Sequence, residues 1–190
     1  MTMKILPTLT LLFAVLPLAA QDAPKPTAEH QKLAASVGTW DAVLSTTGED
    51  GKAIESKGTS VQKLACGGLW LIDEFSVPDF LGMGPFEGHG VTGYDPKKGK
   101  YIGTWVDTML TTFMQLEGSF DKTGKVLTME GMGPGPDGNA LKHKLVTTWH
   151  SADKYVFEMF VVGNGNEQKT LTITYTRRAA KASDSKAPAK

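Results

Sequence analysis

The sequence predicts an all-β protein, a single antiparallel barrel of about ten strands preceded by a short helix. Between residues 38 and 178, short runs of alternating apolar and polar residues each end at Gly, Pro, Asn or Asp, the pattern of half-buried strands and turns. No helical run of similar length is present to cover a sheet face, so the apolar faces of the strands must pack on one another. The pattern therefore predicts a fold and, by itself, no function.

The first element is a predicted secretory signal over residues 1–20. Lys4 precedes an apolar run, and the polar pair Gln21 and Asp22 follows it. The run contains two prolines and is too short for a stable membrane-spanning helix, which takes about 20 apolar residues. We expect cleavage near Ala20 and export to the periplasm or the extracellular space, without stable insertion in a membrane.

The remaining elements follow in a simple order. A polar linker and a short helix, capped by Thr27, occupy residues 21–37. Turn residues then separate ten alternating runs at 39–46, 54–64, 69–77, 86–94, 101–107, 113–120, 126–131, 141–150, 155–162 and 169–177. The second run is more polar and is interpreted as an edge-like or strongly solvated strand. After the barrel domain of residues 38–178, residues 179–190 have no large apolar side chain and are predicted to be disordered.

The fourth and fifth strands predict an inner face that could bind a ligand. If Tyr94 and Tyr101 face inward, alternation places residues of both strands beside them, including two glycines that would leave space inside. With two methionines from other strands, the predicted ligand-binding residues are Phe86, Gly88, Gly90, Tyr94, Tyr101, Trp105, Asp107, Met114 and Met159.

A lid and a pocket for a small apolar molecule are predicted from apolar residues outside the strand pattern. The loop of residues 78–85 is unusually apolar, and Phe80, Leu81 and Met83 are its candidate lid residues. The chain contains 8 methionines, whose flexible side chains suit a promiscuous apolar pocket as well as ordinary core filling. We expect a small apolar molecule as the partner.

The charge balance argues against nucleic acid as a partner. The 190 residues contain 20 basic and 20 acidic side chains, and cleavage of the signal would remove only Lys4 among them. Such a neutral chain has no field to attract nucleic acid. The single cysteine, Cys66, is either a small core filler or an exposed thiol able to dimerise the protein, and the oligomeric state stays open.

Two resemblances extend this interpretation. Gly38, Thr39 and Trp40 at the first strand, with Arg177 at the end of the last, resemble the calycin superfamily of lipocalins and their relatives. The resemblance implies that Trp40 closes one end of the barrel under Arg177. An Arg guanidinium can lie flat on an indole while it donates to backbone carbonyls.

A more specific resemblance, over roughly residues 38–178, is to a bacterial family of exported proteins, domain of unknown function 1579 (DUF1579). It implies a calycin-like barrel of about ten strands and brings no established activity. The matching stretches are Gly67-Gly68, Pro85-Phe86-Glu87-Gly88, Gly93-Tyr94-Asp95, Lys100-Tyr101, Trp105-Val106-Asp107-Thr108-Met109, Glu117-Gly118, Val156-Phe157-Glu158-Met159 and Thr174-Tyr175-Thr176-Arg177.

Three carboxylates are candidates for an alternative function, an enzyme of the same fold that transfers protons on a hydrophobic substrate. Asp107 is predicted beside Trp105 on the inner face, although it could also cap the turn that follows. Glu74 and Glu117 lie within strands, and an inward pair of carboxylates could divide the acid and base roles. We expect a binding protein rather than an enzyme.

The histidines predict neither a metal site nor a cofactor, because His30, His89, His143 and His150 are scattered without metal or haem spacings. A minority alternative is haem with His143 as axial ligand, since it shares a face with Trp149. A third functional alternative is a filled barrel that acts as an interaction module, with an exposed apolar patch around Phe80.

Overall fold

The computed structural model describes residues 23–48, 50–135, 139–163 and 165–179, and over these residues ten strands form one closed barrel. The strands are β1 (Gly38–Thr47), β2 (Ala53–Ala65), β3 (Trp70–Val77), β4 (Phe86–Asp95), β5 (Lys100–Asp107), β6 (Met114–Phe120), β7 (Val126–Pro134), β8 (Ala140–Ser151), β9 (Lys154–Gly163) and β10 (Asn166–Arg177). Each strand pairs antiparallel with its neighbours in sequence, and β1 pairs with β10. The predicted fold class and strand number are confirmed.

Closure of the barrel corrects the interpretation of β2 as an edge. This strand pairs along its length with β1 and, over its second half, with β3. The alternative of a solvated strand is confirmed, since more than half of its residues are exposed, whereas its polar residues Ser60 and Gln62 point into the barrel and are buried. A closed barrel has no free edge, so polarity in one strand marks either its outer face or a polar site inside.

A short helical segment closes one end of the barrel, which we call the closed end. It comprises α1 (Ala28–Lys32) and a 3-10 turn (Leu33–Ser36). The backbone N–H of Thr27 donates to His30 Nδ1 at 3.1 Å, which satisfies a donor at the start of the helix. Leu33 is buried, and the Tyr101 hydroxyl lies 2.7 Å from the Glu29 carboxylate. Burial, reinforced by the Glu29 carboxylate, raises the pKa of Tyr101.

Arg177 and Trp40 complete the closed end. The guanidinium carbon of Arg177 lies 4.0 Å from the centre of the Trp40 ring, and Trp40 is fully buried. The same guanidinium donates to the carbonyls of Ala35, Val37 and Ala152. It therefore joins the last strand to the helical segment and to the β8–β9 turn.

The core consists of two apolar clusters joined by Trp149. The larger contains Trp40, Ala42, Leu44, Phe75, Val77, Phe86, Tyr155, Leu171, Ile173 and Tyr175. The smaller contains Leu33, Leu71, Tyr101, Leu127 and Met129. Trp149 packs against both clusters from its half-buried position.

Further predictions concerned the two ends of the chain, Cys66 and the membrane. The predicted signal and residues 180–190 of the predicted tail are outside the described residues. Cys66 is exposed, which excludes the core-filler interpretation. In the described part of the chain, none of the helices is long and apolar enough to cross a membrane.

Candidate ligand-binding site

The interior of the barrel contains a cavity of about 460 Å³. Its wall is mostly apolar, with contributions from the helical segment and from most strands. Among the residues that line it are Leu33, Leu71, Phe75, Phe80, Phe86, Trp105, Met114, Leu116, Met129, Leu145, Trp149, Tyr155, Phe157, Met159, Leu171 and Tyr175. The polar residues of the lining include Gln62, Asp73, Asp107 and His143. The structure thus combines an apolar space with a few polar groups.

The structure brings most of the predicted ligand-binding residues to the cavity. Those that line it are Phe86, Gly90, Trp105, Asp107, Met114 and Met159. Tyr94 and Tyr101 lie outside the lining: their rings pack together with centres 5.2 Å apart, and Tyr94 also packs on His30. They belong to the closed end.

The two glycines of β4 do not leave empty space as the alternation suggested. A Cβ at Gly88 would lie 2.2 Å from Trp105 Cζ2, and one at Gly90 would lie 3.2 Å from Trp105 Cε3. The indole therefore lies flat across both glycines, and the missing side chains make room for Trp105. Its Nε1–H donates to Asp107 Oδ2 at 2.9 Å, which fixes the ring in this position.

The predicted lid loop covers the other end of the barrel with two of its three candidate residues, since Phe80 and Leu81 both pack against the larger core cluster. Phe80 lines the cavity and stacks on Phe86, with ring centres 4.5 Å apart. The backbone N–H of Leu81 donates to Ser56 Oγ at 2.8 Å, which ties the loop to β2. The Met83 side chain is 59% exposed and points away from the interior.

A hydrogen-bonded polar cluster that the sequence did not predict lies within the cavity wall. Gln62 is paired in register with Asp73 across β2 and β3. Ser60 Oγ donates to Asp73 Oδ1 at 2.6 Å, and Gln62 Nε2 lies 3.3 Å from Asp73 Oδ2. The same amide group donates to the Tyr155 hydroxyl at 2.8 Å. We call Ser60, Gln62, Asp73 and Tyr155 the polar cluster.

Burial changes the acidity of this cluster. It raises the pKa of Asp73 to about 6, because removal from water disfavours the carboxylate more than the hydrogen bonds from Ser60 and Gln62 favour it. Burial also raises the pKa of Tyr155, and the Asp73 charge adds to that shift. Asp73 therefore changes charge within the range in which proteins commonly work, while the phenol stays neutral.

Two polar atoms of the cavity wall have no hydrogen-bond partner among the described residues. They are His143 Nδ1 and Trp149 Nε1. His143 is buried, and its Nε2 lies 3.1 Å from the Pro134 carbonyl, so Nε2 carries the proton and Nδ1 presents a free lone pair. Trp149 Nε1 presents a free N–H. Unpaired interior polar atoms are costly in a folded protein and mark positions where a ligand can supply the partner.

The candidate catalytic carboxylates do not form an inward pair. Glu74 is exposed and bonds Lys63, which lowers the pKa of Glu74. The Glu117 side chain is 43% exposed, and Lys100 and Lys98 lower the pKa of Glu117. Both lie on the outer face because they alternate with inward residues of their strands, which corrects the predicted acid–base pair.

Asp107 both lines the cavity and caps a turn, the two roles that the sequence left open. It lines the cavity at the end of β5, where Oδ2 accepts from Trp105. Its Oδ1 accepts the backbone N–H of Met109 at 2.9 Å, so it also caps the following turn. In the described residues, no three His, Cys, Asp or Glu side chains group closely enough to hold a metal ion.

Comparison with known proteins places the fold. The family model "Protein of unknown function (DUF1579)" matches residues 25–177. No curated protein matches the chain. The crystal structure of Rv2717c from M. tuberculosis is similar with a TM-score of 0.57 and 16% identity, over 80% of this chain and 98% of that one.

The structure of S-type phycobiliprotein lyase CPES from Guillardia theta is also similar, with a TM-score of 0.57 and 10% identity. The match covers 82% of this chain and 95% of the lyase. At such identities the likeness concerns the barrel fold alone.

Proposed function

This chain belongs to the DUF1579 family of proteins of unknown function, and we propose that it is an exported barrel that binds one small, largely apolar molecule in its cavity. The observation that carries this proposal is the cavity itself. Its volume of about 460 Å³ lies within the range of about 300–1,000 Å³ that is typical of small-molecule sites. An apolar ligand there would replace water against an apolar wall, which is favourable in proportion to the area buried.

The unpaired atoms of the wall support a ligand that also carries polar groups. A ligand hydroxyl or carbonyl oxygen could accept from Trp149 Nε1, and an N–H or O–H could donate to His143 Nδ1. These residues face the same cavity from one strand, six positions apart, so their Cα atoms are separated by about 20 Å along β8. A compact ligand would satisfy one of them, and an extended ligand is needed to reach both.

Binding is proposed over the two alternatives for specific reasons. The enzymatic alternative depended on an inward carboxylate pair that included Glu74 or Glu117, and both are on the outer face. The interaction-module alternative required a filled barrel, whereas the interior contains a cavity. Haem remains an alternative ligand, with His143 in the wall.

The test is native mass spectrometry of the protein purified from its own host, followed by denaturing extraction and identification of the released compound. We expect a stoichiometric organic molecule, and its mass and absorption would distinguish haem from other ligands. Leu145→Trp, which fills part of the cavity, should lose the compound. Val43→Trp, at a position on β1 that is 37% exposed, is the matched control and should retain it. Protein that is empty in all preparations would contradict the proposal.

Export is a separate part of the proposal and depends on the leader segment in the sequence. Its test is the intact mass and N-terminal sequence of the protein from its host, together with cell fractionation. We expect a mature chain that begins at or near Gln21 outside the cytoplasm. A cytoplasmic protein that retains Met1 would contradict export without affecting ligand binding.

A further inference from the structure

We propose that the ligand is an apolar amine or related organic cation whose protonated nitrogen binds the Asp73 carboxylate. This inference rests on the proposed ligand-binding function and adds the chemical class of the ligand. It depends on three observations: the position of Asp73 in the cavity wall, the lack of an ion-pair partner for it in the part of the chain that the structure describes, and the aromatic rings beside it.

Asp73 is held firmly but is not fully bonded. Ser60 donates to Oδ1 at 2.6 Å, whereas Gln62 is 3.3 Å from Oδ2 and donates more closely to Tyr155. A carboxylate oxygen has two lone pairs, so Oδ2 keeps acceptor capacity toward the cavity that Asp73 lines. The residue opposite on β4 is Gly90, which places no side chain in front of the carboxylate.

Among the described residues no Lys, Arg or His forms an ion pair with this carboxylate, and His89, exposed on the outer face of β4, lowers the pKa of Asp73 only from a distance. Lys32 lines the cavity, but its Nζ is 2.8 Å from the Glu29 carboxylate at the closed end. Arg177 is bonded to three carbonyls and lies 3.2 Å from Asp153. The second carboxylate of the wall, Asp107, accepts from an indole and a backbone N–H, so its hydrogen-bond donors are neutral as well.

Neutral hydrogen bonds stabilise a buried charge less than a counter-ion does, and an uncompensated interior carboxylate is unfavourable. A ligand that carries a positive charge would supply the missing partner. Its ammonium N–H would donate to Oδ2 in a charge-assisted hydrogen bond, which is stronger than a bond between neutral groups. A ligand with its own carboxylate would be repelled.

The rings around Asp73 favour the same class of ligand. The Trp105 indole lies across Gly90, where a Cβ would be 3.2 Å from the indole and 3.5 Å from Asp73 Cβ. Tyr155 and Tyr175 stack with ring centres 4.4 Å apart, and both line the cavity. Aromatic faces attract organic cations, most strongly where water is excluded.

The experiment compares three probes with one apolar chain and different head groups: decylamine, 1-decanol and decanoate. Binding to the full mature protein is measured by isothermal titration calorimetry at pH 7.5. We expect decylamine to bind at least 10-fold more tightly than decanol, and decanoate to bind most weakly. Asp73→Asn should reduce decylamine affinity at least 10-fold and change decanol affinity little. Glu117→Gln, on the outer face, is the matched control and should change neither.

A pH series on the unmodified protein provides an independent test if Asp73→Asn does not fold. Alkylamines keep their charge throughout pH 5–8, so a weaker affinity for decylamine at pH 5 reports a proton gained by the protein. Decanol affinity should stay constant. The titratable groups near Asp73 are Tyr155 on β9 and Tyr175 on β10 inside the barrel, and Glu74 on its own strand and His89 on β4, both on the outer face. In His89→Gln the affinity for decylamine should still weaken at pH 5, because Asp73 is the group that gains the proton; loss of the His89 charge, which lowers the pKa of Asp73, moves the midpoint of this change upward.

The outcomes separate this inference from the function on which it rests. Equal affinities for decylamine and decanol, or an unchanged decylamine affinity in a folded Asp73→Asn protein, would overturn the amine class and leave a ligand-binding barrel. Failure of all three probes together with empty protein from the host would overturn both proposals. Preference for decylamine that depends on Asp73 supports both.

Discussion

If the barrel binds an amine as proposed, Asp73 is the residue at which stability and ligand binding compete. In the folded protein its carboxylate lies in the barrel wall with neutral hydrogen-bond donors, whereas in the unfolded chain water solvates it. A side chain placed only for stability would be apolar or paired here. In the proposed function, the buried Asp73 carboxylate lowers the stability of the fold and is held in position for a ligand.

The first prediction concerns the pH dependence of stability. The folded-state pKa of Asp73 is raised from 3.8 to about 6, so between these values the native protein holds a proton that the unfolded chain has released. This contribution to stability is therefore fully present below pH about 4 and is lost as the pH rises through 6. A difference of about two pKa units corresponds to about 3 kcal/mol.

Asp73→Asn removes this term. We expect the variant to be more stable than the wild type at pH 7.5, by up to about 3 kcal/mol, and to lose that advantage at pH 4. Urea unfolding at both pH values measures the difference. Glu117→Gln, which removes an exposed carboxylate with a lowered pKa, is the control and should not gain stability at pH 7.5. An unchanged pH slope in Asp73→Asn would contradict the assignment.

The sequence could not reveal Asp73, for a reason visible in β3. Trp70, Ile72 and Glu74 alternate with Leu71, Asp73 and Phe75, so both faces of the strand contain apolar residues. Alternation cannot decide which face is inside when both are apolar. The structure places Leu71 and Phe75 in the core, and their parity carries Asp73 inward.

At the level of elements, β4 and β5 fit together because two glycines on β4 leave room for one indole ring on β5, which we call the glycine-for-indole exchange. Gly88 and Gly90 face the Trp105 ring, and Gly88 is opposite Asp107 in the strand pairing. Glycine is unfavourable inside a strand, but at these two positions the missing side chains let the large indole ring lie against the barrel wall. This exchange shapes the side of the cavity next to Asp73.

The second prediction tests that exchange. Gly88→Ala places a Cβ where Trp105 Cζ2 is 2.2 Å away, so the indole must move and its bond to Asp107 must break or lengthen. We expect a loss of about 1–3 kcal/mol in unfolding free energy, as for other overpacked cores, with a shift of tryptophan fluorescence. Gly163→Ala is the control: nothing lies within 4 Å of its Cβ position, and stability should change by no more than about 0.5 kcal/mol. Equal effects of the two variants would argue against the packing described.

The third prediction concerns the closed end, where Arg177 joins three elements. Arg177→Ala removes its bonds to the carbonyls of Ala35, Val37 and Ala152 and its packing on Trp40. We expect a decrease in stability of about 1–3 kcal/mol, measured by the denaturation midpoint.

The neighbouring arginine provides the matched control for that variant. Arg178 is exposed and pairs with Asp41 on the surface, an interaction typically worth about 0–1 kcal/mol. Arg178→Ala should therefore shift the midpoint less than Arg177→Ala. An unchanged midpoint in Arg177→Ala would show that the contact between Arg177 and Trp40 does not stabilise the closed end.

The elements themselves were largely predictable, whereas the polar site was not. Period-two alternation and turn glycines are local signals, and the ten predicted runs correspond to the ten strands of the described chain. The polar cluster depends on side chains that are far apart in sequence: Gln62 bonds Tyr155 across 93 positions. Local patterns contain no information on such pairs, so the inward polar residues of β2 suggested an edge strand instead.

At the scale of the whole molecule, one closed barrel surrounds the cavity. Every strand pairs with two neighbours, and the β1–β10 pairing joins the two ends of the described domain. Trp149 links the two core clusters, and the cavity is lined by residues of both, such as Leu71 and Phe75. A ligand in this position would contact residues of both core clusters.

The fourth prediction follows from that geometry. The two core clusters are joined by Trp149 inside one closed barrel. Thermal unfolding followed by circular dichroism and by tryptophan fluorescence should therefore show one coincident transition. A ligand that binds only the folded barrel should shift both signals together, and decylamine at 100 times its dissociation constant would add about 2.7 kcal/mol. In Asp73→Asn the same decylamine concentration should produce a much smaller shift, because the variant binds the amine more weakly. Two separate transitions, or a ligand effect on one signal alone, would mean that the clusters unfold independently and that the cavity does not connect them.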